Sequence, residues 1–333
     1  MTTSSAARPR VLSGMRPTGP LHFGHLLGAL TNWVRMQDTY ECYFMSADLH
    51  ALSTVYDETG GVRAARRQNV AEWIAAGVDP SKAVIFEQSR VPQHAELHVI
   101  LSMITPIAWL ERVPTYKEQQ ENLSHKDLST YGFLGYPLLQ TADIILYKAN
   151  KVPVGQDQLP HLELSREIVR RFHHLYGTTV FPEPDGLLSE TPKVLGLDGR
   201  KMSKSYNNAI GLGDDKADVK KRLMAAPTDP KRVLRTDPGT PEICTIFHLH
   251  KTVSPLAIVE EVRVGCSTAG IGCVDCKKKL LGNLDPLLDP IREKRAELLT
   301  RPQVLDDILA DGAKKARITA EATMEQVRSA VQL

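Results

Sequence analysis

The sequence predicts an α/β protein with a doubly wound, mostly parallel sheet and a C-terminal all-helical domain. Short apolar strand candidates alternate with amphipathic helical stretches through the first half, while from about Asp214 the β-branched runs thin out and long helical periodicities take over. The chain has 333 residues, 42% of them apolar, which is enough for about two cored domains.

Each element has its own signal. Val11-Leu12-Ser13-Gly14 is an apolar run stopped by glycine, and beyond the turn Arg16-Pro17-Thr18-Gly19-Pro20 the residues Leu26, Leu27, Leu30, Trp33 and Val34 recur at helical spacing. This is strand, loop, helix. Glu41 to Ala47 is the second strand candidate, and Asp48-Leu49-His50 leads from it to an alanine-rich helix from Val62 to Ala76, terminated by Gly77 and Pro80. Ala83-Val84-Ile85-Phe86 is the third. Alternation at this spacing implies right-handed crossovers, and in such sheets ligands bind beyond the carboxyl ends of the strands. Helical patterns then cover Ala217–Ala226, Pro255–Val264, Val274–Leu299 and Ala313–Val331. The expected organisation is a sheet domain over 10–206, a helical domain over 207–311 and a C-terminal helix over 312–333.

Charge is balanced, 41 basic against 39 acidic residues, which excludes a disordered acidic chain and a histone-like polybasic one. Clusters such as Lys220-Lys221-Arg222 and Lys277-Lys278-Lys279 are consistent with a polyanion site or with solvated helix faces. No leader-like apolar segment opens the chain and no run approaches the roughly 18 apolar residues of a membrane span, so the expected location is the cytoplasm. Five cysteines in so long a chain are not a disulfide framework.

Two motifs carry chemistry. Pro17-Thr18-Gly19-Pro20-Leu21-His22-Phe23-Gly24-His25 lies where the first strand hands over to the first helix. Gly24 would let a ligand approach the backbone, and two imidazoles at a helix N-terminus suit phosphate, an incidental metal site or two surface residues being the alternatives. About 175 residues later comes Leu197-Asp198-Gly199-Arg200-Lys201-Met202-Ser203-Lys204-Ser205. Its two ammonium groups can close over the β- and γ-phosphates of ATP and stabilise a departing pyrophosphate. Chance would rarely supply both motifs in that order.

Together they resemble the paired signatures of class I aminoacyl-tRNA synthetases, most closely those of the bacterial tryptophanyl branch. The resemblance extends through Asp48-Leu49-His50-Ala51, Tyr136-Pro137-Leu138-Leu139-Gln140-Thr141-Ala142-Asp143-Ile144 and Val152-Pro153-Val154-Gly155-Gln156-Asp157-Gln158. It implies a Rossmann-type catalytic domain, a helical anticodon-binding domain and a homodimer. It also implies that ATP, Mg²⁺ and L-tryptophan give tryptophanyl-adenylate, whose acyl group passes to tRNA(Trp). His22, His25, Lys201 and Lys204 are then the expected catalytic donors. Gly14, Arg16, Thr18, Gly24, Lys117, Gly155, Asp157, Gln158, Met202 and Ser203 complete the ATP set by family match. Some relatives carry Thr and Asn in place of both histidines and Gln in place of Arg16.

An indole offers one donor and no acceptor, so its pocket needs apolar walls and one well-aimed acceptor. Asp143 matches that position; a helix cap or salt-bridge partner is its plain alternative. Leu12, Gly14, His50, Tyr136, Gln140, Val152, Val154 and Gln158 match the remainder of the tryptophan site. Gln140 is equally at home in tyrosyl enzymes, which makes a tyrosyl-tRNA synthetase the runner-up. A nucleotidyltransferase of a small metabolite and a non-catalytic, RNA-binding synthetase paralogue are the alternatives of other classes. Leu97, Ile100, Leu101, Ile104 and Ile107 could be a dimer stripe or core.

Cys244, Cys266, Cys273 and Cys276 crowd into one stretch with Gly265, Gly270 and Gly272 between them, a pattern that suits four-thiolate metal binding. Zinc usually prefers two short Cys-x-x-Cys clips, and only one is present. The spacing is similar to a subset of tryptophanyl enzymes with a [4Fe-4S] cluster in the anticodon domain; Zn²⁺ and free thiols are the alternatives.

Overall fold

The computed structural model describes residues 8–114, 128–188 and 194–333. Among them, β1 (Arg10–Met15), β2 (Glu41–Ser46), β3 (Ala83–Glu87), β4 (Lys151–Val154) and β5 (Asp185–Leu188) form one parallel sheet in the order β3-β2-β1-β4-β5. β1 and β2 pair along their whole length, from Arg10 opposite Glu41 to Met15 opposite Ser46. The strand order reverses at β1, which opens a crevice beyond the carboxyl ends of β1 and β4. β4 and β5 were not among the expected strands. Each has four residues, and Pro153 in one and Gly186 in the other weaken the pattern by which a strand is recognised.

Side chains alternate between the two faces of the sheet. Val11, Phe44 and Ile85 join a core with Trp33 and Trp73, whereas Leu12, Tyr43, Met45 and Phe86 face a second core with Leu97, Leu101, Ile145 and Phe172. Trp33 stacks on Phe44 at 4.3 Å and meets Trp73 edge-on at 5.0 Å. The first helical stretch, 23–36, contains a π turn at Leu26–Leu30, where the Thr31 hydroxyl donates to the Leu26 carbonyl at 2.8 Å. Of the expected apolar stripe, Leu97, Leu101 and Ile104 are core, whereas Ile107 is 63% exposed.

The second half is helical, with helices Lys216–Ala225, Thr245–Val253, Leu256–Ser267, Cys273–Leu299 and Pro302–Val331. It has no core of its own, because Leu284, Leu288, Leu305 and Leu309 share one apolar cluster with Val11, Trp33 and Trp73. The last helix does not begin near 312. It starts at Pro302, where a missing N–H costs nothing, and runs unbroken to Val331. Ala313, Ala316, Ala320 and Met324 carry it into the second core, against the sheet domain. Gly312 lies against the Ile85 carbonyl of edge strand β3, so closely that a Cβ would collide with it.

Glycine in a helix interior is ordinarily worse than alanine by about 1 kcal/mol. Here the sign should reverse: Gly312→Ala should lower stability by roughly 1–3 kcal/mol through overpacking against β3. Urea unfolding measures it, and a gain in stability would contradict the packing described.

Candidate active site

A cavity of about 350 Å³ opens at the crevice between β1 and β4. Leu12, Gly14, His50, Tyr136, Gln140, Asp143, Val152, Val154 and Gln158 all line it, with Arg16 beside them. The lining also includes Ser13, Met45, Ala47, Ser53, Ile144 and His161, which the motifs do not single out. Met45 and Ala47 could have been found by following β2 to its carboxyl end, and His161 by continuing one helical turn past Gln158. Gly14 is required by its neighbour strand as well, since a Cβ there would come within 2.9 Å of the Met45 carbonyl.

Asp143, on the helix Tyr136–Leu146, is buried at the cavity floor and receives more donors than its sequence neighbours suggest. His94 Nδ1 donates to Oδ1 at 2.6 Å and His50 Nε2 to Oδ2 at 2.8 Å, while Gln88 Nε2 reaches both oxygens at 2.8 and 3.0 Å. Beyond it, His94 Nε2 meets the Tyr147 hydroxyl at 2.8 Å. Burial works to raise the Asp143 pKa, but His94 and His50 outweigh it and hold the carboxyl at about 2. The group is therefore an ionised, acceptor-only side chain held by buried polar donors.

At the mouth of the crevice the two motifs meet. Phe23 N donates to the Ile210 carbonyl at 2.8 Å and Leu212 N to the Leu21 carbonyl at 2.9 Å, so the segment after the lysine loop pairs with the histidine motif. Met202 is buried in the core, and Lys204 Nζ lies 3.5 Å from where a Cβ on Gly19 would stand. The loop is pinned by Asn208, buried beneath it, which donates to Asp198 Oδ1 at 2.6 Å and to the Lys201 carbonyl at 3.2 Å, and accepts from Ser203 N at 2.8 Å.

Gly24 serves a different contact from the one expected. The His22 ring folds back to within 3.0 Å of the position of its missing Cβ, with Met202 Sδ at 3.9 Å, so the room is taken by protein. His22 N donates to His25 Nδ1 at 3.1 Å, and the two rings lie 3.8 Å apart. Burial, then the Lys204 charge, lowers His22 to about 4; burial, then His22 and Lys204, lowers His25 to about 3. Both imidazoles are neutral at physiological pH, so they can offer N–H donors but not charge. His22 Nδ1 is buried without a partner among the described residues. The Lys204 ammonium is pushed below the usual lysine range by desolvation, against an opposing pull from Glu72.

Gly155 lies under the Asp157 carboxylate, and Gln158 Nε2 donates to Asp157 Oδ2 at 3.0 Å. Lys117 falls outside the described residues.

A family model described as tRNA synthetases class I (W and Y) matches residues 4–289. The chain belongs to that family. It is 52% identical to the tryptophan–tRNA ligase of Thermotoga maritima, an alignment covering 97% of this chain and 99% of that one. It is 43% identical to the enzyme of the same name from Ralstonia nicotianae, over 97% and 98% of the two chains. Among solved structures, tryptophanyl-tRNA synthetase from Campylobacter jejuni complexed with ADP and tryptophan superposes with a TM-score of 0.88 at 32% identity, over 97% of this chain and 100% of that chain.

The four cysteines of the second half lie at the ends of three helices. Cys244 precedes the helix Thr245–Val253, Cys266 is near the end of Leu256–Ser267, and Cys273 and Cys276 share the first turn of Cys273–Leu299. All are free thiols. Burial first, then Cys244, Cys266 and Cys273, push Cys276 up to about 12, so the four thiols share one neighbourhood. Arg232 Nη1 stands 3.9 Å from Cys266 Sγ and 4.0 Å from Cys273 Sγ. Among the described residues no three His, Cys, Asp or Glu side chains stand as a set able to ligate a single metal ion. Tetrahedral zinc needs its thiolates about 3.8 Å apart. Four thiols in one neighbourhood are soft donors of the kind that both zinc and iron–sulfur clusters take.

The neutral histidine pair makes stability depend on pH with a definite sign. In the unfolded chain both titrate near 6.5, and in the folded chain at about 4 and 3, so their contribution is complete above pH 6.5 and is lost as pH falls toward 3. Thermal melts from pH 7 to 4 should show a smaller decline for the His22→Asn/His25→Asn variant than for the wild type; equal declines would rule out neutral imidazoles.

Proposed function

We infer that the chain is a tryptophan–tRNA ligase, which activates L-tryptophan with ATP and Mg²⁺ and transfers it to tRNA(Trp). One observation carries the reading of a site that activates an amino acid whose ring bears a hydrogen-bond donor: a buried, ionised acceptor stands in the cavity beyond β1 and β4, and the histidine and lysine motifs are joined beyond β1. The full-length likeness to ligases of that name supports it.

On this reading the indole N–H is accepted by Asp143, and Leu12, Met45, Val152 and Val154 supply apolar walls, with Gly14, His50, Tyr136, Gln140 and Gln158 around the ammonium and ring. The tryptophan carboxylate attacks the α-phosphate of ATP and the bond to the β-phosphate breaks, releasing pyrophosphate. The acyl group then moves from adenylate to a terminal ribose hydroxyl of the tRNA, releasing AMP. No covalent help from the protein is needed, so positioning and charge stabilisation carry the rate. His22 and His25 donate neutral N–H groups to phosphate, and Lys201 and Lys204 offset the charge that develops on pyrophosphate. Gly14, Arg16, Thr18, Lys117, Gly155, Asp157, Gln158, Met202 and Ser203 complete the nucleotide site. The Mg²⁺ arrives on the nucleotide's own phosphates.

Cys244, Cys266, Cys273 and Cys276 hold a [4Fe-4S] cluster in the helical half, with a structural role, since neither step of the reaction moves electrons. Arg232 supports this reading through its approach to two of the thiols. A homodimer is supported by Val99, Met103, Ile107 and Tyr131, which are all at least half exposed. The expected setting is the cytoplasm; among the described residues no helix is long and apolar enough to cross a membrane.

Exchange of labelled pyrophosphate into ATP, run with all twenty amino acids, should respond to tryptophan alone; a response to tyrosine instead would transfer the chain to the tyrosyl branch. Lys201→Ala and Lys204→Ala should each slow that exchange on the order of 10²-fold. Asp143→Asn should raise the tryptophan KM while leaving the ATP KM near wild type, because an amide can present a donor to the indole N–H.

Anaerobically purified protein should be brown with roughly four iron per chain, as four thiolates would hold. Cys276→Ser should remove the colour and weaken tRNA charging more than adenylate formation. A colourless preparation with one zinc per chain would overturn the cluster assignment.

A further inference from the structure

Glu72 lies on the helix Val62–Ala75 with no exposed surface and is not among the residues that line the cavity. One carboxylate oxygen accepts from Leu21 N at 2.8 Å and the other from Arg295 Nε at 2.9 Å. Leu21 directly precedes His22. Arg295 belongs to Cys273–Leu299, in the helical half, and its guanidinium lies flat on Gly213, where a Cβ would stand 2.5 Å from Cζ. Glu72 also acts on Lys204, which it helps keep protonated.

A single buried carboxylate thus meets the backbone of the first motif, a side chain of the helical domain and the field of the lysine loop. Desolvation raises its pKa, and the Leu21 N–H, Arg295 and Lys204 counter that. Burying an ion pair is a poor route to stability, because desolvation consumes most of the Coulomb gain and an apolar pair of equal volume would do as well or better. What an apolar pair could not do is fix the direction of a backbone N–H and tie it to a neighbouring helix that is distant in sequence. The joint is reinforced by its surroundings: Asp214 Oδ2 accepts from Gly211 N at 2.8 Å and pairs with Arg222, holding the 209–214 segment that pairs with the histidine motif.

We propose that Glu72 and Arg295 form an interdomain latch that sets the position of Leu21–His25 relative to Lys204, which makes Glu72 a positioning residue for adenylate formation. The proposal rests on the reading that His22, His25 and Lys204 serve the ATP phosphates. The latch transmits the placement of the helix Cys273–Leu299 to the phosphate-binding loops. The Asp143 end of the cavity is left out of it.

The test uses the full chain with Glu72→Gln, Arg295→Met, the double variant and Arg295→Lys. Glu72→Gln keeps an acceptor for Leu21 N, so it perturbs charge with little change of shape. Tryptophan-dependent pyrophosphate exchange should lose kcat on the order of 10²-fold in each single variant, with the tryptophan KM within about twofold of wild type. The double variant should be no worse than the poorer single, and Arg295→Lys should recover part of the loss.

Hydrogen exchange on the substrate-free protein gives a readout independent of activity. Amides of 21–25 and 210–212 should exchange faster in Arg295→Met, while those of β3 keep their protection. Additive kinetic losses, a parallel rise in tryptophan KM, or unchanged protection at 21–25 would each overturn the latch. A wild type that fails to exchange with tryptophan would instead overturn the functional reading, and the hydrogen-exchange arm would still decide the latch.

Discussion

The arrangement depends on a short backbone pairing between Leu21–Phe23 and Ile210–Leu212. These segments are far apart in the chain, and each borders a loop that needs an outside partner to fix it. With the pairing formed, Met202 enters the core and Lys204 comes to rest beside Gly19 and His22. Without it, Lys204 would lose its place beside Gly19 and His22, and the two histidines would lose part of their burial. The perturbed values at His22, His25 and Lys204 are consequences of one geometric fact, since each arises from burial and from the proximity the pairing enforces.

The histidines of this chain show how the same side chain takes opposite parts within one site. His22 and His25 stand beside Lys204, so burial and like charge keep them neutral. At the floor, His50 and His94 face Asp143 and supply the hydrogen bonds that keep a fully buried carboxylate ionised. The mouth is therefore electropositive through lysine, where polyphosphate would lie, and the floor carries its one anion where a lone donor would end. The charge pattern runs along the cavity in the sense that an ATP-and-indole pair requires.

How much of this was legible in the sequence follows from how local each signal is. β1, β2, β3 and the helix Val62–Ala75 show because apolar periodicity and glycine punctuation are written within a few residues of one another. β4 and β5 do not, since what makes them strands is pairing with each other and with β1, not propensity. The last helix, expected over 312–333, begins at Pro302; Gly312 lies inside it and admits the Ile85 backbone without breaking it. In the site, the residues matched to the amino-acid set line one cavity, and the histidine and lysine motifs meet through the pairing of Leu21–Phe23 with Ile210–Leu212. Gln88 and His94 were invisible, because nothing near them in sequence reports a carboxylate 55 and 49 residues away. Asn208 and Glu72 belong to the same class of long-range support, found only once the loops they hold are seen in place.

Asp143 presents a last consequence for selectivity. A carboxylate offers about four acceptor positions, and those of Asp143 are filled by His94 and Gln88 on one oxygen and by His50 and Gln88 on the other. An indole N–H has to replace one of these donors. His94 is fully enclosed, whereas the His50 side chain keeps 11% of its surface at the cavity wall, so His50 is the partner that can yield. Exchanging one hydrogen bond to a charged acceptor for another is nearly neutral, so Asp143 adds little affinity, and burial of the ring against Leu12, Met45, Ile144, Val152 and Val154 must supply it. A ring without a donor that displaces His50 leaves a buried acceptor short of a partner, at a cost of roughly 1–3 kcal/mol. A phenol escapes that cost, because it too can donate. Discrimination against tyrosine therefore falls on the shape of the cavity around Gln140 and Ile144 and not on the acceptor at its floor.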